Sequence, residues 1–138
     1  MDDFRQVIDL DQLTSADTIT LARSAAEAIR GLNWATNSPA GLDQPSAAYD
    51  ILGALHLAAS RLGQALTQIT RYLDRALAAG RLGHDRGEDP AFAVEAAAIF
   101  LKDARGSAAA LAGDLDAAWQ QLAMINGHPA PRTRKDQP

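Results

Sequence analysis

The chain has no cysteine, only two valines, and aromatic residues at 5% of its 138 positions. The first absence removes disulfides, thiol nucleophiles and thiolate metal sites together. Two Val against 30 Ala, 17 Leu and 7 Ile leaves strand-favouring residues scarce, so a β-sandwich or barrel is excluded. Lysine is rare too, at 2 against 11 Arg, and the 13 basic residues are outnumbered by 17 acidic ones. The resulting net charge of -4 argues against a general nucleic-acid binder, because phosphate recognition needs clustered positive charge. No run approaches the roughly 20 apolar residues of a membrane span. The start, Met1-Asp2-Asp3-Phe4-Arg5, lacks the basic and apolar regions of a signal peptide, so a cytoplasmic location is expected.

Plentiful alanine and leucine point instead to an all-α chain of single-domain size. Residues 1–126 read as one helical-bundle domain, a three-helix bundle built on a long antiparallel hairpin. Thr14-Ser15 caps a helix A over about 15–32, with Asp17 in its first turn. Asp43-Gln44-Pro45 and Glu88-Asp89-Pro90 each place a capping side chain just before a proline at the first helical turn. They open a helix B over about 45–79 and a helix C over about 90–126, ended by Gly80 and by Asn126-Gly127. Residues 1–13 are either a short fourth helix or an extended arm, and 127–138, with three prolines and no larger apolar anchor, read as a disordered tail.

The most informative pattern is a heptad seam. In helix B, Ala48, Leu52, Leu55, Ala59, Leu62, Leu66, Ile69, Leu73 and Ala76 recur in alternating steps of four and three. Helix C continues the pattern through Val94, Ala97, Leu101, Ala104, Ala108, Leu111, Leu115, Ala118, Leu122 and Ile125, with no position missed. Aligned antiparallel at a residue-number sum near 170, the two seams match large residues with small ones almost throughout, which suits close helix packing. The phase runs straight through Gly106, so helix C is expected to be unbroken there; the competing topology breaks it at Arg105-Gly106-Ser107 to make a regular four-helix bundle.

Two flanks border this seam. One carries Ile51, Ala58, Ala65, Tyr72 and Ala79 with Ala93 and Phe100, giving way to Ser107, Asp114 and Gln121, and helix A is expected to dock mainly there. The other carries Tyr49, His56, Gly63 and Thr70 facing Ala98, Arg105, Ala112 and Trp119; being half polar, it is expected to be exposed. Tyr72, Leu77, Leu82, Phe92 and Phe100 crowd the turn end of the hairpin, an apolar group that soluble monomers seldom leave uncovered, and the chain's own Phe4, Val7, Ile8 and Leu10 or the same patch on a second subunit are the candidates to bury it. Together with Tyr49 and Trp119 they are the candidate partner-binding residues.

Catalytic chemistry finds little support. His56, His84 and His128 have no helical metal-site spacing, and the carboxylates Asp114, Asp116, Asp85, Glu88 and Asp89 form no facing acid-base pair. Gly80, Gly83 and Gly87 match neither phosphate-loop spacing. No catalytic, cofactor or metal residue is therefore assigned. The short helical-hairpin substrates of type VII secretion carry Trp-x-Gly at the turn; here Trp34 is followed by Ala35-Thr36, and no family is assigned. The expectation is a non-enzymatic interaction protein, a homodimer or an accessory subunit. A regulator contacting nucleic acid through Arg61, Arg71, Arg75 and the basic tail is the alternative, and an enzyme around His56, Tyr49 and Trp119 is the third reading.

Overall fold

A computed structural model describes residues 11–128. It is all-α: α1 spans Ser15–Thr36, α2 Pro45–Ala78 and α3 Pro90–Leu122, and no strand occurs among the described residues. The chain divides into two compact units, 1–43 and 44–138. Residues 1–10 and 129–138, and with them most of the expected N-terminal arm and tail, lie outside the described residues.

In the first unit, α1 opens on the expected cap, in reciprocal form. The Asp17 N–H donates to Thr14 Oγ1 at 3.3 Å, while the Thr14 N–H donates to Asp17 Oδ2 at 3.0 Å. The helix continues to Thr36 instead of ending near Leu32, because Asn33-Trp34-Ala35-Thr36 contains no breaker and the sequence first stops it at Pro39. No residue of α1 is buried, and Trp34 is 83% exposed.

In the second unit, α2 and α3 pack along their lengths as an antiparallel hairpin. The two helix starts are built differently. Asp89 is the residue immediately before a proline at the first turn, and its Oδ1 accepts the Ala91 N–H at 3.0 Å. Asp43 stands one residue too early, so Gln44 becomes the N-cap of α2 and provides no side-chain bond. At the other end Gly80 adopts φ +70°, which lets its N–H reach Leu77 O and that of Arg81 reach Ala76 O, both at 3.0 Å. The helix α3 passes Gly106 without interruption, as the unbroken phase requires, and stops at Leu122 rather than near residue 126. Its last turn tightens instead, the Ile125 N–H bonding Leu122 O at 3.1 Å.

Contacts between the helices bear out the register. His56 meets Ala112, Tyr49 and Gly53 meet Trp119, Thr67 meets Arg105 and Pro45 meets Gly127, all consistent with a residue-number sum of about 170. Among the described residues the buried ones are Ala59, Ala76, Val94, Ala108 and Ala112, none larger than valine, so the backbones approach over small side chains.

Candidate functional site

The hairpin does not close symmetrically over its seam. It is rotated toward the flank expected to be exposed: Tyr49, His56, Gly63 and Thr70 are half-buried, as are Ala98, Arg105 and Trp119, and Ala112 is buried. The rotation has a physical cause in polar groups that find partners across the interface. A carbonyl only accepts, so His56 Nδ1 carries the proton it donates to Ala112 O at 2.9 Å. Arg105 Nη1 donates to Thr67 Oγ1 at 3.1 Å, and that hydroxyl donates in turn to Gly63 O at 3.0 Å. Tyr49 and Trp119 stack with ring centroids 5.0 Å apart. The indole sits over Gly53, where a Cβ would lie 3.2 Å from Nε1, and that buried N–H has no hydrogen-bond partner.

These contacts give His56, Tyr49 and Trp119 structural work. The imidazole is engaged by a main-chain carbonyl, and Tyr49 and Trp119, expected to meet a partner, meet each other. Sequence reasoning missed the Thr67 to Arg105 link, for which Thr and Arg at matched heights of the register were the available signal. No group of three or more His, Cys, Asp or Glu that could hold a metal occurs among the described residues. Among these residues, too, no helix is long and apolar enough to cross a membrane.

The turn is a small structure of its own. Gly87 takes φ +74°, the Gly87 N–H donates to His84 O at 2.9 Å, and the Arg86 N–H donates to His84 Nδ1 at 3.1 Å. Opposite the interhelical contact on α2, Arg61, Arg71 and Arg75 are all exposed.

The other flank of the hairpin carries exposed aromatic residues. Of its large residues, Tyr72 is 51% and Phe100 73% exposed, and they stand at the same height on α2 and α3. The seam residues on this side, Leu62, Ile69 and Leu111, are also about half exposed. Phe92 and Ile99 extend the surface around α3 at 73% and 63%, whereas Leu77 and Leu82 are half-buried at its edge. Residues 90–101 of α3 hold a single charge, Glu95, so this stretch is apolar on nearly every side. Comparison of the chain with protein-family models, with curated proteins and with solved structures finds no match to any of them.

Proposed function

We propose that this chain is a non-enzymatic helical interaction protein of the cytoplasm, a homodimer or an accessory subunit, which works through the open flank of the α2/α3 hairpin. The observation that carries the reading is the exposure of Phe92, Ile99 and Phe100 on a helical segment with one charged residue. A helix apolar on all sides is stable in water when all sides are covered. The hairpin alone covers one side of it, with alanines and one valine as its buried residues. Exposed aromatic rings in such a cluster are also the side chains that anchor protein interfaces.

The test is the native size of the protein, measured both purified and in lysate of the cell that makes it. The expected result is a species larger than the 14.6 kDa chain in at least one of the two, reduced to the monomer by Phe100→Glu with helicity by circular dichroism retained. A monomer in both settings overturns the proposal.

A further inference from the structure

We infer that the partner seated on the open flank is a second copy of this chain, related by a two-fold axis running along the hairpin, with both turns at the same end. The inference rests on the interaction reading above and adds its occupant and geometry.

Area is the first ground. Leu62, Ile69, Tyr72, Phe100 and Leu111, with Phe92 and Ile99 beside them, are each about half to three-quarters exposed. At about 150–250 Å² per aromatic side chain and less per aliphatic one, they offer on the order of 700 Å². A standard stable interface uses about 800 Å² per partner.

Charge is the second ground, and it selects the axis. One step round α2 from the open flank runs an exposed row of Arg61, Gln68 and Arg75; on α3 the exposed Asp103 borders the same flank and Asp114 lies within it. No ion pair joins any of these to another described residue. Rotation about an axis along the hairpin lays α2 of one copy on α3 of the other and leaves height unchanged, so the hairpin's own register fixes the new neighbours. Arg61 then stands between the heights of Asp114 and Asp103 of the second copy, Gln68 is level with Asp103, and Tyr72 is level with Phe100. An axis across the hairpin does the opposite. It sets α2 on α2 and α3 on α3, facing arginine with arginine and aspartate with aspartate, and moves Phe100 onto the polar half with Ser107, Asp114 and Gln121. Asp50 and Asp116 fall on the far side of the hairpin and oppose neither arrangement.

The absence of cysteine makes the geometry directly measurable. Leu62 and Leu111 are near the same height on the open side, so under oxidising conditions Leu62→Cys protein mixed with Leu111→Cys protein is expected to form a disulfide, while Leu62→Cys alone does not. Light scattering of the wild type is expected to give twice 14.6 kDa. Arg61→Glu is expected to raise the dimer dissociation constant roughly tenfold, since symmetry repeats each pair, and Asp114→Arg added to it to restore association. All four positions are exposed, so these changes leave the fold intact. A symmetric Leu62→Cys disulfide, or failure of the charge swap to rescue, overturns the geometry. A wild type that is monomeric when purified but larger in lysate overturns the second copy as occupant, and leaves the interaction reading standing.

Discussion

Single residues divide between those that fasten the hairpin and those that wait on its surface. Tyr49 and Trp119 belong to the first kind, since their stack closes the end of the hairpin where α2 begins. Tyr49→Leu keeps apolar bulk and loses the ring pairing, so it is expected to cost about 0.5–1.5 kcal/mol in thermal or denaturant unfolding. A shift in fluorescence from Trp119 checks that the indole environment changed, Trp34 being already exposed. His56 contributes a single hydrogen bond to Ala112 O, and His56→Ala should cost roughly 1 kcal/mol. An unchanged midpoint on urea titration counts against that bond.

Helices and their ends carry the next set of constraints, and glycine shows how local geometry decides the sign of an effect. Gly80 holds φ +70° at the end of α2, where an L side chain is strained, so Gly80→Ala is expected to lower stability by about 1 kcal/mol. Gly106 lies in the middle of α3 with nothing within 4 Å of a built Cβ, so there Gly106→Ala is expected to raise it by roughly 0.5–1 kcal/mol. Equal effects of the two, read from melting curves, contradict this. At the contact itself Ala76 is 0% exposed, and Ala76→Leu forces the helices apart at an expected cost of about 1–3 kcal/mol.

At the scale of the whole molecule, the buried interior among the described residues is made of alanines and one valine, and many large apolar side chains, Phe92, Ile99 and Phe100 among them, face solvent. Burial that depends on a second copy makes stability depend on concentration. The melting temperature of the wild type is therefore expected to rise with protein concentration, and that of Phe100→Glu to be lower and flat, because a carboxylate desolvated among those rings stands one helical turn from the like charge of Asp103. A wild-type melting temperature constant over a hundredfold dilution contradicts the concentration linkage.

Class, helix number, the Thr14 and Asp89 caps, the Gly80 stop and the register of α2 on α3 were all legible in the sequence. Each follows from a pattern that repeats along one chain: a proline beside a capping residue, a glycine after a run, apolar steps of four and three. Which flank turns inward was not legible. Its half-polar character marked the flank of His56, Arg105 and Trp119 as the exposed one, whereas the two helices turn toward it. Hydrophobic spacing fixes the stripe on which two helices meet, but rotation about that stripe is settled by pair contacts across it. A ring on a ring, an imidazole on a carbonyl and a guanidinium on a hydroxyl exist only once both helices are in place, and closing them leaves the aromatic flank outside.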